Sequence, residues 1–231
     1  MVRSVSYTVR WDPYRPRGMR FSPVEVTQIL IAMAAMTLAF TLAQASGLAG
    51  VAYLAGIGGW GILALIAVAS FVAVITAFLL HELAHKAVAQ RYGCFAEFRM
   101  YPMGLVLGVV TAAFGFLFAA PGAVMISGPV NARQHVRISA AGPGTNLVIA
   151  AGFLGLAVAT GVPGNRFADL VSSLVGVIAF VNLFLGGFNL IPFPPLDGSK
   201  ILALDKVTWA AMVVALVAIG AAGWYAGVFY F

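Results

Sequence analysis

The stretch Phe78 to Arg91, FLLHELAHKAVAQR, ends an uncharged run that begins at Val26, and it contains His81-Glu82-Leu83-Ala84-His85. On a helix, residues four apart are separated by one turn plus roughly 40°, so His81 and His85 project from one face and can share a metal ion. Glu82 lies beside that face. Two neutral imidazoles suit Zn²⁺, a third protein ligand completes a catalytic site, and the open fourth position is left for water. The glutamate of such an H-E-x-x-H pattern takes the proton of the attacking water and passes it to the leaving amine. A blander reading is a helix end that reaches the membrane interface, with Lys86 and Arg91 snorkelling. Against it, a chain with 9% charged residues and three histidines has put two of the three, and a glutamate, within five positions of an apolar helix. Ionisable groups in that setting are costly and usually functional.

Composition sets the class around this motif. The 231 residues are 62% hydrophobic with 26 glycines, and the mean hydropathy is +1.00. These values describe a polytopic α-helical membrane protein. The net charge of +6 does not indicate nucleic acid, because the basic residues adjoin apolar segments, where orientation in a bilayer explains them. The single cysteine, Cys94, excludes an internal disulfide.

About five transmembrane helices are expected. Residues 1–25 form a basic tail containing a short strand-like stretch, SVSYTVRW, and residues 26–231 a single membrane-embedded domain. Val26–Gln44 is just long enough to span; Ala43-Gln44-Ala45 also resembles a signal-peptidase site, so cleavage there is a second possibility. Ser46–Gly59 reads as a connection or frayed helix start, and Trp60–Gln90 as the span that carries the motif. Residues 138–160, Leu170–Leu190 and Trp209–Phe231 supply three more, with a polar turn at Val162–Asp169 and a proline-broken stretch, IPFPPLDGSK, after Leu190.

Residues 94–137 fit none of these. FAEFRMYP and AAPGAVMISGPV are strand-like and flank an apolar segment, Met103–Phe118. If the region enters and leaves on one side, twelve of the thirteen basic residues (Arg3, Arg10, Arg15, Arg17, Arg20, Lys86, Arg91, Arg99, Arg133, Arg137, Lys200 and Lys206) share a face, and only Arg166 lies opposite. That is the positive-inside pattern, so this face is expected to be cytoplasmic, and 94–137 a membrane-embedded β-like or re-entrant hairpin.

Elimination narrows the third ligand. Glu97 sits in a strand-like segment beside Arg99, Asp169 is on the opposite face, Asp205 neighbours Lys206, and His135 lies between Arg133 and Arg137 as a solvated loop histidine. Asp197 remains, at a helix end on the face of His81 and His85.

His81-Glu82-x-x-His85, followed by Asn189-x-x-Pro192-x-x-x-x-Asp197-Gly198, resembles the site-2 protease family of intramembrane zinc metalloproteases. The resemblance runs from about Ile62 to Leu202. It implies Zn²⁺ on His81, His85 and Asp197, Glu82 as base, and transmembrane segments of other membrane proteins as substrates. Gly142-Pro143-x-x-Asn146 resembles a further motif of that family, which makes Asn146 and Asn189 candidates for binding substrate backbone or the oxyanion. Two other classes stay open: a cation transporter with a broken helix at Pro192, and a catalytically silent scaffold.

Overall fold

The computed structural model describes residues 19–161 and 166–229. Most of the basic tail, including its strand-like stretch, lies outside the described residues. The chain runs α1 (Pro23–Gln44), α2 (Gly47–Gly56), α3 (Trp60–Ala73), a π-helical turn (Val74–Leu79), α4 (Leu80–Arg91), β1 (Phe95–Met100), α5 (Pro102–Ala113), β2 (Gly122–Ser127), α6 (Ala132–Thr160), α7 (Arg166–Leu190), α8 (Asp197–Leu204) and α9 (Lys206–Tyr225). Among the described residues, five helices are long and apolar enough to cross a membrane: Pro23–Gln44, Trp60–Arg91, Ala132–Thr160, Val171–Leu190 and Lys206–Tyr225. The protein is a polytopic helical membrane protein.

Several boundaries move from those expected, each for a local reason. Helix α1 starts at Pro23 because Ser22 caps it, accepting from Glu25 N, and proline suits the first turn. This puts Glu25 inside the helix. Ser46–Gly59 is not a plain connection: Ser46 and Gly47 turn through positive φ, and Gly47–Gly56 then coils into α2. Helix α6 starts at Ala132, six residues early, because Asn131 and Gln134 form a reciprocal capping box. His135 therefore lies in a helix, exposed, rather than in a loop.

The hairpin region combines both expected forms. β1 and β2 pair antiparallel, with Phe98 opposite Val124. Between them α5 packs along α1 until Ala113 and Gly115 reach Gly47 at the far end of α1, and an extended return brings Ala120 N back to Gly104 O. The chain thus re-enters and exits at one end. The same end gathers the α1 start, the α4 end, the α6 and α9 starts and the α7 end, as shown by contacts of Arg20 N with Gln90, Arg137 with Tyr92, and Trp209 with Leu190 O.

The largest cluster of buried apolar side chains joins α6, α7 and α8 around Leu147, Ala150, Leu183, Leu190 and Ile201. A second joins α1, the π turn and the sheet around Met36, Val74, Phe78 and Phe98. Lys86 does not snorkel; it is buried against Glu25, 2.5 Å away. Outward faces are apolar, as on α9 at Val214 and Val217, which suits lipid contact.

Helices α6 and α7 approach closely at Gly186, where an added Cβ would lie 3.0 Å from the Asn146 side chain. Gly186→Leu should therefore overpack this seam, costing about 1–3 kcal/mol. Thermal unfolding in detergent checks this, with Gly152→Leu, at a site with open space, as the neutral control.

Candidate metal centre

His81 and His85 occupy consecutive turns of α4, and their rings meet edge to face, with centroids 4.7 Å apart. Their Nε2 atoms are 3.1 Å apart. Asp197, the first residue of α8, brings Oδ2 to 2.9 Å from His85 Nε2 and 3.5 Å from His81 Nε2. All three are buried, and their ligand atoms lie within 4.8 Å of one another. The proline-rich break after Leu190 makes this possible: it stops α7 and turns the chain back so that α8 starts against the α7 end. Gly198 packs so tightly on the Leu190 carbonyl that a Cβ there would collide with it.

The other ring nitrogens are committed. His81 Nδ1 lies 2.5 Å from Asn146 Oδ1, and His85 Nδ1 lies 2.7 Å from the Ile138 carbonyl. Asn146 Nδ2 donates to Ala77 O and to Asn182 Oδ1, which fixes the amide so that its oxygen faces His81. Both imidazoles therefore carry their proton on Nδ1, and both Nε2 lone pairs point at the Asp197 carboxylate. Two lone pairs and a carboxylate oxygen converge in this buried space. A cation between them relieves their repulsion, so this donor set fits a metal ion.

Helix α6 forms one wall. A Cβ on Gly142 would collide with the Nε2 atoms of both histidines, so only glycine lets the helix approach this closely. Pro143 follows, has no N–H, and removes one rung from the helix. On the turn before it, the Ile138 carbonyl accepts a hydrogen bond from His85 Nδ1. Beneath the rings a polar chain runs from His81 through Asn146 to Asn182, whose Nδ2 reaches Thr76 Oγ1 at 2.9 Å. Thr76 sits in the π-helical turn, and Ala77 in the same turn supplies the carbonyl that Asn146 uses. Such turns recur at functional sites because they free backbone groups and rotate the next stretch of helix.

Glu82 is partly exposed and does not join the metal-ligating group. Its Oε2 accepts from the backbone N–H of Val124 on β2, at 2.9 Å. Asn146 is fully buried, with its amide spent on His81, Ala77 and Asn182. Asn189 is half-buried and donates to Leu185 O in its own helix. Of the residues set aside from the sequence, Glu97 pairs with Arg99 at 2.7 Å, and Asp205 caps α9.

Sequence reasoning missed Asn182 and Ile138. Asn182 could have been found, since an amide in an apolar span demands a partner. Ile138 acts through its backbone and leaves no signal in the side chain.

Comparison with known proteins gives the same family from an independent direction. Residues 157–212 match the model of peptidase family M50, a segment that includes Asn189 and Asp197. A Methanocaldococcus jannaschii protein named provisionally as a zinc metalloprotease is 38% identical over 156 residues, covering 66% of this chain and 78% of its own length. Rip3 of Mycobacterium tuberculosis, named in the same provisional way, is 35% identical over 131 residues, 57% of this chain and 29% of its own length. A second Methanocaldococcus jannaschii protein, named a zinc metalloprotease, is 30% identical over 135 residues, 57% of this chain and 32% of its own. No solved structure matches. With 38% identity across more than three quarters of the first archaeal relative, the chain belongs to peptidase family M50.

Proposed function

We propose that this protein is an intramembrane zinc metalloprotease of the site-2 type, which hydrolyses peptide bonds in transmembrane segments of other membrane proteins. One observation carries the proposal: two imidazoles with Nδ1 committed elsewhere and a buried carboxylate converge on a point beside a glutamate that stays outside their group. Zinc bound there supplies a Lewis acid that acidifies water and polarises a carbonyl. Glu82 accepts the proton of the attacking water and delivers it to the leaving amine. His81, His85 and Asp197 are the ligands. We assign to Asn146 the orientation of His81 rather than contact with substrate, and leave Asn189, at the end of α7, as the candidate donor to a substrate carbonyl. The active-site end of the bundle, where the described basic residues other than Arg166 gather, is proposed as cytosolic. Residues 1–25 would then be a cytosolic tail and 26–231 one catalytic domain.

A helical substrate hides its carbonyls in its own hydrogen bonds and must unwind before attack. β2 offers such a segment a template. The outer edge of β1 is occupied, since Phe98 N and Met100 N donate to Glu25 and Gln28 of α1. β2 is mostly exposed, and its outer edge is the one that faces Glu82. An unwound strand pairing there by β-augmentation would lie alongside the base.

Three outcomes test this. Glu82→Gln should keep its bound zinc and lose roughly 10²–10⁴-fold in turnover of a single-span peptide by reconstituted protein; undiminished cleavage removes the assignment. Asn182→Leu should weaken zinc binding about 10–100-fold in chelator competition, by releasing the amide that orients His81. Ile126→Pro, which removes the next outward N–H of β2, should cut cleavage on the order of tenfold while zinc content stays constant.

A further inference from the structure

Among the described residues, the most deeply buried charges lie outside the metal centre. Glu25 is 0% exposed and Lys86 is 1% exposed, with Lys86 Nζ 2.6 Å and 2.5 Å from the two carboxylate oxygens. The Phe21 ring closes over the ammonium, 4.3 Å from its centroid. A buried pair of this kind gains little over well-packed apolar residues, and its best-attested use is to fix a register. Here the register is visible. Glu25 Oε1 also accepts the backbone N–H of Phe98, at 2.8 Å. Phe98 faces Val124 across the sheet, and the Val124 N–H points away from β1 to Glu82 Oε2.

Glu82 and Lys86 are one turn apart on α4. One helix face thus holds both edges of the sheet: β2 directly through Glu82, and β1 through Lys86 and the Glu25 carboxylate. Neighbouring contacts run the same way, with Gln28 Oε1 accepting Met100 N at 3.0 Å and Ser22 hydrogen-bonded to Glu97.

We propose that Glu25, held by Lys86, is a positioning residue for the base: it sets the depth of the β1–β2 sheet on α4 and so fixes the Val124 N–H that holds the Glu82 carboxylate beside the ligands. This rests on Glu82 acting as base. The working element is the acceptor oxygen at Phe98 N; the Lys86 ammonium neutralises the buried charge that this oxygen carries.

The test compares two charge-free double variants of the full-length protein, since either single change strands a buried charge. Glu25→Gln with Lys86→Met keeps an acceptor for Phe98 N, whereas Glu25→Leu with Lys86→Met has none. The zinc-loaded proteins in nanodiscs are compared for kcat and KM on a single-span peptide, zinc content, thermal unfolding, and amide exchange of residues 122–127. The glutamine double variant should keep kcat within about threefold and exchange as the parent does. The leucine double variant should hold its zinc and its melting temperature, lose kcat on the order of 10²-fold with KM little changed, and exchange faster at β2. Equal kcat and equal exchange in the two variants overturn the proposal. So does a leucine double variant that unfolds earlier with unaltered exchange at β2, which marks a purely structural pair. Exchange needs no turnover, so it decides the positioning claim even where parent and variants alike leave every peptide uncut, the result that would instead count against the protease reading.

Discussion

Three electron-pair donors meeting in a buried space is the constraint on which the structure depends. His81, His85 and Asp197 come from stretches more than a hundred residues apart, and their lone pairs repel unless a cation sits between them. To hold them so, the fold must stop α7 at the proline-rich segment, turn α8 back against it, and bring α6 against the imidazoles without a side chain in the way. Gly142 meets the last demand and Gly198 the second, since a Cβ at either would collide with its packing partner. The motif glycines are therefore spatial requirements of the ligand set.

Around this centre the protein supports each donor with a second contact. Asn146 turns His81, the Ile138 carbonyl turns His85, and Lys200 lies 3.0 Å from the outer oxygen of Asp197. Asn146 is itself held by Asn182 and by a carbonyl in the π-helical turn. In an apolar bundle a missing hydrogen bond is costly to replace, so each amide must find a protein partner. That demand explains why the polar chain runs unbroken from Thr76 to the metal-facing ring.

How much of this was legible in the sequence depended on how far apart the interacting residues lie. His81, Glu82 and His85 share a helix turn, so their spacing announces them. Asp197 emerged by elimination, because the chain has few acidic residues and most have an evident partner nearby. The strand-like character of β1 and β2 was readable too, although burial does not alternate along β1, where Ala96, Glu97 and Phe98 are buried in succession. The π-helical turn was not, because the groups it presents, the Thr76 hydroxyl and the Ala77 carbonyl, meet Asn182 and Asn146 of other helices. Nor was the burial of Lys86: a lysine at a helix end reads as snorkelling, and its partner Glu25 lies 61 residues earlier. The early start of α6 was written in Asn131 and Gln134, but the neighbouring charges of Arg133 and Arg137 made the segment look like a loop.

The arrangement also bears on whether the site retains a metal or passes one along. A carrier needs ligands that let go, and commonly builds them from two broken helices in related halves. Among the described residues only the stretch after Leu190 breaks in this way, and both imidazoles have their second nitrogen tied to buried acceptors, so releasing an ion would leave the converging lone pairs unrelieved. Glu82 adds to this. A site built to bind a cation in transit would use a second carboxylate so near, yet this one is held out of the ligand group by the Val124 N–H of an exposed strand. On the proposed reading, a carboxylate on the ligand-bearing helix that stays outside the ligand group is the one that moves a proton. That separation of ligand from base favours a hydrolase with a resident ion over a conduit or a silent scaffold.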